Sequence, residues 1–178
     1  MVRKYISPNK IAQIADEVRI DSLGKQLADE IAETDIYQIC QYLGCKIETV
    51  EFNPSNVFAR VLRNDEQTGK YIIQVAKNDS VKRQKFSIAH EIAHIILHYD
   101  ERNNEFIELR QSLVDYEPEE LYKEVQANMF ASALLLPENQ VKTAWEISKS
   151  IDDLAEMFNV SKDAMYNRLC NLGFLNDE

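Results

Sequence analysis

The chain has 178 residues, 45% of them hydrophobic and 28% charged, which is enough apolar material for one globular domain with a core. Asp and Glu total 30 against 20 Lys and Arg, so the formal net charge is -10. This acidic surplus argues against direct nucleic-acid binding, which needs a basic face. The N-terminus lacks an apolar signal segment, and no stretch approaches 18 apolar residues, so we expect a cytoplasmic protein without a membrane span.

The three cysteines, Cys40, Cys45 and Cys170, cannot all pair within one chain. The first two are close in sequence, but a second pair is lacking, so a zinc ribbon is not indicated. We expect free and mostly buried thiols, as in other cytoplasmic proteins.

The first part of the chain is predicted to be helical. Ser7 and Pro8 form a start signal for a first helix, and a second helix runs to about Ala32. A third helix begins at Thr34 and ends at Gly44, a residue that often terminates helices.

Three runs rich in β-branched and aromatic residues follow, and turn residues separate them. They predict a three-stranded antiparallel meander at residues 47–52, 57–62 and 71–75. Helices are then predicted at residues 80–99, 118–136, 151–158 and 161–172, the last two joined at Asn159 and Val160. A short extended piece is expected at residues 106–109.

Together these elements predict an α+β fold that is mostly helical. A small antiparallel sheet packs on the helix at residues 80–99, and a helix-turn-helix-like pair follows at the C-terminus. We expect a main domain at residues 1–147 and a small helical appendage at residues 148–178.

All three histidines lie in one predicted helix, and two of them are four residues apart. Residues 90–94 read His-Glu-Ile-Ala-His, and positions i and i+4 share a helix face, so His90 and His94 can reach one metal ion. Catalytic zinc takes imidazole nitrogen and keeps three protein ligands. Glu91 lies about 100° around the helix from His90, where it can act as a base towards the attacking water. The pattern favours a zinc site with Glu91 as catalytic residue over a core helix with chance histidines.

The role of His98 is open in the sequence. It lies about 12 Å along the helix axis from His90, so a straight helix cannot bring all three imidazoles to one ion. We expect His98 to flank the cleft or to cap the helix C-terminus, where a cation is favoured. The candidates for the hydrogen-bond donor that stabilises the oxyanion are Tyr99, Tyr116, Tyr122 and His98, and the sequence does not rank them.

The helix at residues 118–136 supplies the candidates for a third ligand. Glu120, Glu124 and Asn128 recur at four-residue spacing, and the small residues Ala127 and Ala131 lie alongside. Small residues let two helices approach closely enough to share one ion. They favour Glu124 as the ligand, whereas Glu120 suits a solvated face.

Two blocks of the sequence resemble the signature of the ImmA/IrrE family of metallopeptidases. They are residues 83–98 (RQKFSIAHEIAHIILH) and residues 124–131 (EVQANMFA), the latter followed by Leu-Leu-Leu-Pro at 134–137. The order of elements over residues 34–174 is also similar, whereas the first 30 residues are less diagnostic.

The resemblance implies a gluzincin-like peptidase, with a zincin-like domain at residues 1–147. It assigns His90, His94 and Glu124 as the ligands of Zn2+ and Glu91 as the catalytic base. Members of this family are often encoded by phages and mobile elements, and they typically cut a helix-turn-helix repressor to release transcription. The repressor as protein partner follows from the resemblance alone.

The sequence of residues 154–169 is typical of a helix-turn-helix, with Ser161 as the cap of the second helix. That helix offers only Lys162 and Arg168 for phosphate contacts, which predicts weak DNA affinity. A role in packing or in partner binding is therefore favoured.

Three functions are compatible with these sequence features. The leading hypothesis is a zinc metalloendopeptidase that makes a limited cut in a partner protein, expected to be a helix-turn-helix repressor. The alternative is a metal-binding regulatory module that inactivates a repressor by binding without cleavage. The third is a DNA-binding regulator that uses residues 148–178.

Overall fold

A computed structural model describes residues 6–52, 57–63, 70–98 and 118–175. The extended piece expected at residues 106–109 lies outside the described residues, as do Tyr99 and Tyr116. No helix in the described part of the chain has the length and apolar character needed to cross a membrane.

The N-terminal helices form as the sequence predicts, because their start and stop signals are satisfied. The Ser7 hydroxyl accepts a hydrogen bond from the Lys10 amide at 3.3 Å, and Pro8 begins the first helix. The third helix starts slightly later than predicted, since Asp35 caps it. Gly44 follows it with φ 70°, a backbone conformation that glycine adopts easily. The helices are α1 (Pro8–Leu23), α2 (Lys25–Asp29) and α3 (Ile36–Tyr42).

The three predicted strands form one sheet, β1 (Cys45–Val50), β2 (Ala59–Arg63) and β3 (Tyr71–Ala76). The strand order is β1-β3-β2, so β3 is central. It pairs with β1 in parallel and with β2 antiparallel. The sheet is therefore mixed.

The prediction of a purely antiparallel meander is wrong in strand order. A meander would place β2 in the centre, but β3 holds the fully buried pair Ile73 and Val75. In the central position, the backbone groups on both edges of this most apolar strand form hydrogen bonds with a neighbouring strand. On the other face a polar row crosses the sheet: Arg60 donates to Gln74 at 2.7 Å, and Gln74 donates to Glu48 at 3.0 Å.

The buried face of the sheet packs on α4 (Val81–Ala93), which begins at the Ser80 cap. A π-helical turn (His94–His98) continues α4 directly. The long helix α5 (Pro118–Leu135) packs against both α4 and α1. These helices were predicted, whereas the π-helical turn was not.

Three further helices follow α5: α6 (Glu138–Ile147), α7 (Ile151–Met157) and α8 (Lys162–Asn171). Sequence reasoning missed α6, although Pro137 at its cap is a start signal. The joint between α7 and α8 lies at Asn159, as predicted, with φ 50°.

A polar link ties the last two helices to the rest of the fold. Lys85 of α4 is buried and ion-paired with Glu33. The second carboxylate oxygen of Glu33 accepts a hydrogen bond from the Asn159 side-chain amide at 2.9 Å. Buried residues of α7 and α8, such as Leu154 and Met165, belong to the same apolar cluster as those of α4 and α5. The division of the chain after residue 147 stays a prediction.

Candidate metal centre

Two packed helices, α4 and α5, carry the candidate site. The inner face of α4 is made of fully buried apolar residues, which are Ile88, Ala89, Ile92 and Ala93. On α5 the small residues Ala127 and Ala131 are fully buried as well. Small side chains allow a close helix approach, and the polar side chains that point between the helices consequently meet.

His90, His94 and Glu124 come together between these helices. Their ligand atoms all lie within 4.8 Å of one another. The Nε2 atoms of the two imidazoles are 2.9 Å apart. One carboxylate oxygen of Glu124 is 3.3 Å from the His90 Nε2 atom, and the other is 3.4 Å from the His94 Nε2 atom.

This donor set fits a metal ion. Two imidazole nitrogens and one carboxylate are ligands that zinc accepts, and a tetrahedral ion with bonds of about 2.0–2.1 Å keeps its ligand atoms about 3.3 Å apart. The two distances from Glu124 to the imidazoles match this separation, and the 2.9 Å between the Nε2 atoms is slightly shorter. All three residues are at most 4% exposed, and a buried carboxylate needs a compensating positive charge. The three side chains could therefore hold a metal ion.

Asn128 orients one of these imidazoles, and sequence reasoning missed this role. Its side-chain oxygen lies 3.0 Å from the His90 Nδ1 atom. An amide oxygen accepts a hydrogen bond, so the Nδ1 atom carries the proton and the Nε2 atom keeps its lone pair for a metal. The available signal was the spacing of four residues from Glu124, which places both side chains on one face of α5.

Glu91 lies in α4 between the two histidines and is 3% exposed. The structure therefore buries the candidate base within the helical turn that carries the candidate ligands. Glu120, the other candidate for a third ligand, is exposed on α5. Of these two α5 glutamates, Glu124 is the one that the structure brings to the histidines.

His98 ends the π-helical turn beside the cluster. Its ring centroid lies 5.4 Å from that of His94. Burial lowers the pKa of His98 to about 4, and the nearby His94 and Lys123 act in the same direction. A backbone hydrogen bond to Lys123 and the charge of Glu124 oppose that shift without cancelling it. This lowered pKa favours a neutral imidazole at pH 7, which does not suit the expected role as a cationic cap and leaves the other expected role, at the side of the cleft.

Of the tyrosines considered as oxyanion donors, the structure describes Tyr122. It lies on α5, two residues before Glu124, and its hydroxyl is shielded from solvent. Tyr122 and His98 both stay candidates.

Comparison with known proteins places this geometry in a family. Residues 40–170 match the family described as IrrE N-terminal-like domain (Peptidase_M78). The chain is 29% identical over 141 residues to Metallopeptidase ImmA of Bacillus subtilis (strain 168), with 78% of this chain and 77% of the relative covered.

A solved structure also shares the fold. A Mycobacterium tuberculosis transcriptional regulator superposes with a TM-score of 0.59 at 18% identity, covering 93% of this chain. This chain spans 47% of the length of that regulator. Because the family match over residues 40–170 includes both helices of the site, this chain belongs to the IrrE N-terminal-like family of metallopeptidases.

Proposed function

We propose that this protein is a zinc endopeptidase that makes a limited cut in a partner protein. His90, His94 and Glu124 are its zinc ligands, and Glu91 is its catalytic base. The observation that carries the proposal is the convergence of two imidazoles from α4 and a carboxylate from α5 within 4.8 Å. Such a set leaves one coordination position for substrate chemistry, as catalytic zinc sites do.

The ligand chemistry supports zinc. When bound, zinc supplies Lewis-acid activation of water and of a carbonyl at neutral pH. Asn128 holds the proton of His90 on the Nδ1 atom, so the Nε2 lone pair faces the other two ligands. Glu124 offers one oxygen to each imidazole, and its negative charge offsets part of the positive charge of the ion.

Glu91 transfers the proton of the attacking water. Its carboxylate accepts a proton from the water that attacks the peptide carbonyl, and it then passes this proton to the departing amine. The water oxygen first forms its bond to the carbonyl carbon, and the peptide C–N bond then breaks as the amine takes the proton, so water is the only co-reactant. Burial of Glu91 at 3% exposure supports this role, because a shielded carboxylate does not exchange its proton freely with solvent.

A closed site supports limited cleavage. The three ligands and Glu91 are each at most 4% exposed, so a peptide bond can approach the metal only within a segment that fits the surface around the site. A specific partner that docks first is the better substrate. The family resemblance assigns that partner to the helix-turn-helix repressors, in phages or mobile elements.

The proposed compartment is the cytoplasm. Cys40, Cys45 and Cys170 are free thiols, which suits a reducing compartment. Burial raises the pKa of Cys45 to about 11, and burial likewise raises the pKa of Cys40, with the nearby Cys45 and Asp35 adding to the effect.

The test is co-expression of the chain with a helix-turn-helix repressor encoded beside it, with cleavage and reporter transcription as readouts. Glu91→Gln should keep zinc, because the residue is not a ligand, and should leave the repressor intact. Glu120→Gln, on the exposed face of α5, should cut normally. Full relief of repression by the Glu91→Gln variant would replace the peptidase by the alternative, a module that acts by binding.

A further inference from the structure

A groove of about 920 Å³ lies between α4, α5 and α8, a volume typical of binding sites. Its lining includes Lys82, Phe86, Asn128, Met129, Asp163 and Asn167. The groove adjoins the candidate metal centre, because Asn128 lines the groove and its side-chain oxygen contacts His90 at 3.0 Å. An occupant of this groove would therefore lie next to the metal ligands.

The α5 wall of the groove is apolar and exposed. Val125 and Met129, one turn apart, are 38% and 41% exposed. They flank Asn128 on the helix that carries Glu124. Exposed apolar side chains in a concave surface indicate a partner that covers them.

The α4 wall of the groove is positive, whereas the α8 wall carries Asp163. Lys82 makes no ion pair within the described residues. The cap Ser80 lines the groove, so the N-terminus of α4 opens onto it and adds about half a positive charge. The N-terminus of α8 also faces the groove, but Asp163 in its first turn lines the groove and offsets that helix end. Arg83 is partly neutralised by Asp79 at 3.6 Å. In a chain of net charge -10, this local positive potential favours a negative occupant.

We propose that the groove docks an acidic and apolar segment of the protein substrate. An apolar side chain of that segment packs on Val125 and Met129, and a carboxylate lies towards Lys82. This inference rests on the proposed peptidase function, since it names the surface that recognises the substrate of that site. Two copies of a chain with charge -10 repel each other, which disfavours a second copy as the occupant.

The contacts of α8 fit this use better than DNA binding. Lys162 is paired with Asp152 at 2.8 Å, and the Arg168 Nε atom donates to the Leu136 carbonyl at 2.9 Å. Both basic residues of the predicted recognition helix are thus engaged within the protein. The C-terminal pair then serves as one wall of a protein-binding groove.

The experiment measures binding without cleavage, using the full chain as Glu91→Gln in the presence of zinc. The probes are two short fluorescein-labelled synthetic peptides with the same Leu and Ala positions, one carrying Glu and the other Lys. Fluorescence anisotropy should show that the acidic peptide binds at least about tenfold more tightly. Lys82→Glu and Met129→Ser should each weaken its binding about tenfold.

Matched controls lie outside the groove on α2. Lys25→Glu makes the same charge change, and Leu27→Ser removes an apolar side chain that is 53% exposed; both should bind like the parent. Zinc content and circular dichroism of every variant should equal those of the parent, which excludes misfolding.

Equal affinity for the two peptides would overturn the proposal, as would groove variants that behave like their controls. Self-association of the chain, abolished by Met129→Ser, would also overturn it and assign the groove to a second copy. Cleavage of a partner without binding of either peptide would remove the groove proposal alone. Peptide binding by the Glu91→Gln variant, together with a zinc-loaded parent chain that cuts no partner, would remove the peptidase proposal and retain the groove as a docking surface.

Discussion

The side-chain oxygen of Asn128 lies 3.0 Å from the Nδ1 atom of His90, on the opposite side of that imidazole from the atom that faces Glu124. Because Glu124 and Asn128 are one turn apart on α5, a single helix supplies both a candidate metal ligand and the group that orients another candidate. The placement of α5 against α4 therefore sets the tautomer of His90 as well as the composition of the site.

Asn128→Ala is expected to weaken zinc binding about 10- to 100-fold, the usual effect of removing a partner that orients a ligand. Without the amide oxygen, the proton of His90 is no longer held on the Nδ1 atom. Competition with a chelating dye measures the affinity. Asn128→Asp should retain most of it, and Asn139→Ala, at an exposed position on α6, should retain all of it. Parent affinity in Asn128→Ala would show that the contact does not orient the imidazole.

Removal of zinc should lower the stability of the fold, because an ion held by the proposed ligands would link α4 and α5 and has no preformed site in the unfolded chain. Free zinc at about 100 times its Kd should add about 2.7 kcal/mol to the free energy of unfolding. Urea unfolding with zinc and with a chelator measures this difference. In His94→Ala the two curves should coincide; a parent protein that is indifferent to the chelator would contradict the prediction.

The burial of His98 predicts a loss of stability in mild acid. Its pKa in the folded protein is about 4, below the 6.5 of the free side chain, so the unfolded chain binds a proton that the folded chain refuses. Stability from this residue is complete above pH 6.5 and is lost as the pH falls from 6.5 to 4, on the order of 2–3 kcal/mol. Urea unfolding of the zinc-free protein at both pH values measures this loss. The free energy of unfolding should fall less between pH 6.5 and pH 4 in His98→Gln than in the parent. An equal loss in both proteins would refute the assignment to His98.

The clustering of the candidate ligands was more predictable than the strand order of the sheet, because its signals are local. The spacing of His90 and His94, and the alanines beside Glu124, appear within single helices. A helix fixes which side chains share a face, so short patterns are sufficient. The orienting role of Asn128 needed the packing of α5 on α4, which no local pattern contains.

The order of strands depends on contacts between distant residues. Local sequence identified all three strands, yet the parallel pairing of β1 with β3 places Cys45 opposite Tyr71. Strands that are neighbours in sequence usually pair with each other. Here the burial of Ile73 in the central strand outweighs that tendency. The helix α6 was missed for a related reason, since its buried residues, such as Val141 and Trp145, become recognisable as one face only when the core beneath them is known.

Gly44→Ala should destabilise the junction of α3 and β1. Gly44 has φ 70°, and an added Cβ would meet no atom closer than the Lys70 amide nitrogen at 3.9 Å. The loss in the free energy of unfolding therefore comes from the backbone conformation and amounts to about 1–2 kcal/mol. Gly44→Asn should cost less, because asparagine tolerates this conformation, as Asn159 does in this protein at φ 50°. Urea midpoints in zinc-saturated protein measure both variants, and equal costs would contradict the explanation.

The zinc content per chain shows whether His94 and Glu124 hold a metal ion, and atomic emission measures it on the purified parent and on His94→Ala, Glu124→Ala and Glu120→Ala. We expect about one zinc ion in the parent and in Glu120→Ala, and a loss of zinc in the other two, since three protein ligands are needed. A parent without zinc after supplementation, or a Glu124→Ala variant with undiminished zinc, would contradict this expectation.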